Sequence, residues 1–203
     1  MKALWRGFWR PSTKWGVLVI FIVGAIIGMV ALFGGHAALQ YSESTEFCTS
    51  CHEMRDNVYA EYIETPHFSN ASGVQAGCAD CHVPKPFIPM VIDHYQALGE
   101  LYHWAIGTID TPEKFESHRL ELAQSVWDDM LASDSRECRA CHVAERIDYS
   151  VMEPAGAKEM QDGLAKGDTC ISCHKGIAHT MPASALAAPT DGTAPVAGAV
   201  ILE

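Results

Sequence analysis

Cys48-Thr-Ser-Cys51-His52, Cys78-Ala-Asp-Cys81-His82, Cys138-Arg-Ala-Cys141-His142 and Cys170-Ile-Ser-Cys173-His174 repeat one pattern, and together they use all 8 cysteines of the 203-residue chain. C-x-x-C-H is the c-type haem attachment motif. Two thiols three positions apart add to the two vinyl groups of a haem, and the adjacent imidazole is placed as an axial iron ligand. Four disulfides would give no reason for a His after every second Cys. Zinc held by paired C-x-x-C units leaves the same His unexplained, and a thioredoxin-like redox motif needs one such pair in an α/β pattern, not four. The pattern predicts four covalently bound c-type haems.

The motifs start 30, 60 and 32 residues apart, which reads as two di-haem halves joined by a longer linker. Residues 41–203 offer about 41 residues per haem, too few for each cofactor to have a core of its own. The haems would pack against one another and form much of the interior. The expected fold is mainly α with long irregular connections and no sheet, a multihaem cytochrome c body on a single N-terminal transmembrane helix. One helix is expected over 53–64, stopping before Thr65-Pro66. A second opens at Thr111-Pro112, an N-cap with proline at the first helical position, and carries Phe115, Leu122, Val126 and Met130 along one side. A shorter one over 155–166 ends at Gly167 as C-cap.

Toward the N-terminus, residues 15–35 read WGVLVIFIVGAIIGMVALFGG and carry no charge. Twenty helical residues span about 30 Å, the hydrocarbon thickness of a bilayer. Lys2, Arg6, Arg10 and Lys14 precede this run, so the positive-inside rule keeps the N-terminus cytoplasmic and exports the remainder of the chain. The run is longer than the apolar region of a signal peptide, although Gly35-His36-Ala37 is a passable cleavage site. The preferred reading is an uncleaved anchor with Trp5, Trp9 and Trp15 as interfacial aromatics. The expected organisation is a cytoplasmic N-terminus and transmembrane anchor (1–40), a periplasmic tetrahaem domain (41–182) and a disordered tail rich in Ala, Pro, Gly and Thr (183–203). The protein would sit in the inner membrane as a single-pass protein. The chain's net charge is −11, with those four basic residues on the anchor side. So acidic a body excludes nucleic acid as a partner.

Each haem iron has a second axial position to fill. His52, His82, His142 and His174 fill at most one each. His179 lies five residues beyond His174, close enough to reach a neighbouring haem, and His67 lies just past the first post-motif helix. His118 sits in the linker helix. These three are the favoured distal ligands; His94 and His103, nine apart on different faces of an expected helix, are weaker, and His36 lies at the membrane edge. Met54 makes the first motif C-x-x-C-H-x-M. A thioether this near the first iron competes with His52 for it, and methionine ligation tends to raise haem potential. Spacing leaves that choice open.

CHEMRDNVYAEY after the first motif, CADCHVP at the second, GTIDTPEKFESHRL in the linker, SDSRECRACH at the third and TCISCHKGIAH at the fourth resemble the NapC/NirT family of membrane-anchored tetrahaem quinol dehydrogenases. The resemblance runs from the anchor to Pro182. It implies a protein that takes electrons from membrane quinol, menaquinol or ubiquinol, and passes them to a periplasmic reductase, nitrate reductase above nitrite reductase. It further implies Met54 as ligand of the first haem, His67, His118 and His179 as distal ligands of the others, and Lys85 and Asp93 as quinol-site residues. Quinol oxidation releases two electrons and two protons, so a lysine to hydrogen-bond the quinol oxygen and a carboxylate to take a proton suit it. The apolar run Val-Pro-Lys-Pro-Phe-Ile-Pro-Met around Lys85 suits a membrane interface. The alternatives are a tethered carrier without quinol chemistry and a terminal reductase. The latter needs positive groups around an open iron, which so short and acidic a chain does not favour. Intact-mass measurement of protein matured in a competent host should exceed the polypeptide by four haems, and a smaller excess would overturn the count.

Overall fold

A computed structural model describes residues 16–186. Among them every regular element is helical and no strand occurs, as the composition and motif spacing lead one to expect. The expected aromatics Trp5, Trp9 and Trp15, the basic N-terminal residues and the tail from residue 187 lie outside the described residues.

The first helix, α1, runs Val17–Ser42. It is the one helix among the described residues long and apolar enough to cross a membrane, and its described side chains are almost all exposed. It continues past the charge-free run over 15–35 and two residues beyond the expected anchor boundary at residue 40. Ala37-Ala38-Leu39-Gln40 are strong helix formers, and two glycines cost less than this run returns. At about 1.5 Å per residue the helix is longer than the bilayer's apolar thickness.

Short elements come next. α2, Thr45–Cys48, is capped by Ser44, whose hydroxyl accepts the Phe47 N–H. The helix expected over 53–64 forms with a change of register: Met54–Tyr59 is a π-helical turn that passes into α3, Ala60–Tyr62. Tyr62 is buried, and its hydroxyl donates to the carbonyls of His67 and Ala76, closing the loop between them. α4 is Cys78–His82 and α5 is Phe87–Ala105. On α5, Ile88, Val91, Ile92, Tyr95, Leu98 and Tyr102 recur at helical spacing and are all exposed, while Met90, Asp93, His94 and Ala97 face inward. His94 Nε2 lies 3.1 Å from Ser42 Oγ, tying α5 to the end of α1.

α6, Pro112–Ala132, begins as the sequence predicts, with Thr111 Oγ1 accepting the Lys114 N–H and proline in the first turn. Its buried face differs from the expected one. Phe115, Arg119 and Trp127 are buried, whereas Leu122 is 40% exposed. A charged residue holds the stripe position one turn after Phe115. α7, Arg136–Cys141, follows a tight turn in which Asp134 and Ser135 both adopt left-handed conformations, φ 54° and 51°. Two 3₁₀ turns, Ala144–Arg146 and Tyr149–Val151, lead to α8, Pro154–Lys166. The Glu153 carboxylate accepts the Ala155 and Gly156 N–H groups at the start of α8, and Gly167 ends it at φ 85°, where a side chain would be strained. α9 is Cys170–Cys173 and packs on α6, where Lys175 Nζ lies 4.6 Å over the Trp127 ring. A last turn, α10, covers Ala183–Leu186, the start of the segment expected to be disordered.

The polypeptide's own apolar core is small. Among the described residues it consists of Tyr62, Ala79, Phe115, Trp127, Ala157 and Ile171. The most deeply buried side chain is polar. Ser135, at 0% exposure, accepts the Ile171 N–H on its hydroxyl at 3.1 Å and so joins the third motif to the fourth. Ser135→Ala leaves that N–H without an acceptor and should cost about 1–3 kcal/mol, read as a lowered denaturation midpoint.

Candidate functional site

Each cysteine pair sits on or beside a single helical turn: Cys48 ends α2, Cys78 and Cys81 lie in α4, Cys138 and Cys141 in α7, Cys170 and Cys173 in α9. Positions i and i+3 of a helical turn share a face, so the two thiols of a motif point the same way with the motif His at the end of the turn. None of the eight forms a disulfide. The motifs also adjoin one another in chain order. α2 packs on α4 and α4 on α7. The Cys48 and Cys78 thiols lie close enough to interact, which lowers the Cys78 pKa and, with burial, pushes that of Cys48 up. Burial raises Cys81 to about 11, with Cys138 and Cys141 near enough to add to it. Cys138 in turn lies within charge range of Cys170. The second and third motifs therefore meet across the long linker.

Two of the favoured distal histidines face motif histidines. The ring centroids of His82 and His179 are 6.2 Å apart with planes inclined at 32°, and those of His67 and His142 are 6.1 Å apart at 73°. Metal–imidazole bonds run at about 2 Å and a ring nitrogen sits about 1.1 Å from its ring centre, so two imidazoles facing one another across a metal have centroids about 6.2 Å apart. His179 Nδ1 lies 3.2 Å from the Val58 carbonyl. Donating there leaves Nε2 with its lone pair, the usual state of a ligating imidazole. His67 Nδ1 is buried with no partner among the described residues. His118 Nδ1 lies 2.9 Å from the Lys114 carbonyl, which likewise leaves Nε2 as acceptor, but no motif imidazole is placed against it. His94 has both ring nitrogens engaged, by Met90 O at 2.9 Å and by Ser42. His103 Nδ1 meets Thr108 Oγ1.

At the first motif His52 Nε2 is 3.2 Å from Glu53 Oε1. Glu53 is only 4% exposed, and its Oε2 has no partner among the described residues. Met54 begins the π-helical turn, a departure from α geometry found preferentially at functional sites. His174 ends α9. Lys85 Nζ pairs with Asp80 Oδ1 at 2.9 Å and lines a shallow pocket with Pro86, Ser133, Asp134, Arg136, Glu137, Arg139 and Ala140. Asp93 lies half-buried on the inner face of α5. Burial raises its pKa, and Asp129 and Glu137 add to this against the lowering effect of His94. No described hydrogen bond or ion pair joins Lys85 to Asp93.

Four attachment motifs in contact with their neighbours, and two imidazole pairs set at the span of one metal, are joined by long runs of specific sequence. The model of the NapC/NirT cytochrome c family, N-terminal region, matches residues 10–184. The chain belongs to this family. It is 43% identical to the cytochrome c-type protein NapC of Escherichia coli K12 over 182 residues, 90% of each chain. It is 46% identical to the denitrification system component NirT of Stutzerimonas stutzeri, over 85% of this chain and 86% of that one. A putative tetraheme cytochrome c of Allochromatium vinosum is 46% identical over 81% of this chain and 88% of its own. No solved structure matches. As a member of a cytochrome c family carrying one apolar N-terminal helix, the chain is a membrane-anchored c-type cytochrome. The residues present fit the haem group: four thiol pairs each with an adjacent imidazole, a small apolar core, an orphaned buried His67 nitrogen and two facing imidazole pairs.

Sequence reasoning missed one cluster. Buried Arg119 forms a bidentate pair with Glu61, Nη2–Oε1 2.8 Å and Nη1–Oε2 3.1 Å, and a second pair with Glu116, Nη2–Oε1 2.6 Å. Its signal was a charge on an apolar stripe. Burial works to raise Glu61, but hydrogen bonds from Arg119 and the Thr180 N–H, together with the Arg119 charge, hold its carboxyl below the usual range. A carboxylate depressed in the folded state contributes stability above its unfolded pKa, about 4.3, and loses it as pH falls through the folded value. Denaturation series at stepped pH should show wild type more stable than Glu61→Gln by a constant margin above that point, with the margin shrinking below it.

Proposed function

We propose that this chain oxidises membrane quinol and delivers the electrons to a periplasmic reductase, with nitrate reductase as partner. The observation that carries the reading is the order of the motifs in space. The first comes directly after the apolar anchor, and each succeeding motif adjoins the one before it, so redox centres held there would lead from the membrane into the body. Family membership supports it, and the relatives named NapC and NirT favour nitrogen-oxide respiration. The protein lies in the inner membrane with residues 41–182 periplasmic and the N-terminus cytoplasmic.

Four covalently bound haems, when present, supply one-electron redox chemistry. Cys48, Cys51, Cys78, Cys81, Cys138, Cys141, Cys170 and Cys173 would attach them. His82 with His179, and His142 with His67, would hold two of the irons. His174 serves the fourth motif, with His118 as a further distal ligand. At the first motif Glu53 engages His52, which favours Met54 as the ligand. Lys85 would hydrogen-bond the quinol oxygen, exchanging its exposed pairing with Asp80 for the substrate. Asp93, raised by burial, would accept a proton. The exposed apolar face of α5 gives an apolar substrate a way in from the bilayer.

The test is quinol-driven haem reduction in proteoliposomes. Lys85→Ala removes a charge-assisted hydrogen bond worth roughly 1.5–3 kcal/mol, a loss of roughly 10–150-fold in rate. Asp93→Asn keeps the size but removes the base, and should cost about 10²–10⁴-fold. Dithionite reduction should be normal in both variants. Unchanged quinol rates in both would move the quinol site elsewhere, and a wild-type protein that no quinol reduces would leave a tethered carrier.

A further inference from the structure

The Arg119 cluster does more than bind two helices together. Glu61 on α3 and Arg119 on α6 share a third partner, the backbone of Thr180. Glu61 Oε2 accepts the Thr180 N–H at 2.9 Å, and Arg119 Nη1 donates to the Thr180 carbonyl at 3.3 Å. Both backbone polar groups of that residue are therefore held by the two members of one ion pair, whose side chains are 10% and 23% exposed. Thr180 directly follows His179, and the Val58 carbonyl that meets His179 Nδ1 lies in the π-helical turn leading into α3. Three fixed points thus fall on two consecutive residues of an otherwise irregular segment.

We propose that Glu61 and Arg119 are positioning residues that set the His179 imidazole opposite His82. The proposal rests on the reading of His179 as an axial ligand. Four residues separate His174 from His179, and no regular element covers them. Left to itself such a segment would sample many orientations, so the ring's aim must come from outside. A backbone clamp supplies it without touching the ring. Fixing the N–H of residue 180 fixes the peptide plane that follows His179, and fixing its C=O fixes the next plane along. Glu116, 2.6 Å from Arg119 on the same helix, holds the guanidinium at its base. The arrangement is the backbone counterpart of the hydrogen bonds that orient metal-bound histidines, whose removal typically weakens the metal bond about 10–100-fold.

The experiment uses full-length haem-loaded protein, with intact mass first confirming four haems. Reduced protein is titrated with carbon monoxide, which binds an iron only when an axial position opens, and the ferric spin state is read on the oxidised protein by electron paramagnetic resonance. His179→Ala tests the ligand reading itself and should open one haem equivalent more than wild type. Arg119→Ala and Glu61→Ala should show the same spectral signature as His179→Ala, with carbon monoxide affinity at that haem raised about 10–100-fold over wild type. Glu61→Gln keeps an acceptor for the Thr180 N–H and should fall between. Lys158→Ala, which breaks a surface pair with Asp162, should match wild type. If the alanine variants do not mature, Glu61→Gln and Arg119→Lys decide the matter by the same readout. The inference is overturned if His179→Ala opens a haem while the Glu61 and Arg119 variants stay as closed as wild type. If His179→Ala itself opens none, the ligand reading falls and the inference with it.

Discussion

Two pairs of imidazoles, held with their centres 6.1 and 6.2 Å apart, tie this chain to itself over very long reaches of sequence. Loop-closure entropy grows only slowly with length, so joining residue 67 to 142, or 82 to 179, is little harder than joining near neighbours. What such a closure does require is something at the meeting point strong enough to repay it, and the six buried apolar side chains among the described residues are a weak candidate. The fold is therefore organised around its side-chain donors more than around a hydrophobic centre. Short turns present the thiols, irregular stretches carry the rings, and α6 serves as the strut on which the fourth motif and the Arg119 cluster are built.

The motifs were legible because covalent chemistry prescribes residue type and spacing together. Helix ends were legible for a related reason. Thr111-Pro112 and Gly167 act through local hydrogen bonds and φ angles, which a few neighbouring residues decide. The α6 stripe was only partly so. Leu122 fits the helical period but lies on the outer side, because Arg119 takes a place that periodicity would give to an apolar residue. Hydropathy cannot see a charge whose burial is offset by two carboxylates, one distant in sequence and one a single turn away. The pairing of His67 with the third motif and His179 with the second was likewise hidden, since spacing limits reach and says nothing of direction. The division of motifs into 30-, 60- and 32-residue intervals gave no sign that these pairings cross the linker.

The first motif shows how local geometry adds what a motif leaves open. C-x-x-C-H-x-M names two rival donors. The π-helical turn begins at Met54, and the buried Glu53 carboxylate lies against His52. Neither feature has a sequence signature. A glutamate after a histidine is ordinary, and its burial at 4% exposure depends on packing from elsewhere in the chain.

The distance between His82 and His179 along the chain also orders events in time. A polypeptide is made from its N-terminus, and His179 is the last of its ten histidines. The second motif is thus translated long before the imidazole that faces it exists, while the residue facing the third, His67, is already waiting when Cys138 appears. Completion of an early part of the molecule falls to a segment made late. A premature stop codon anywhere between the second motif and residue 179 would remove the imidazole that lies against His82.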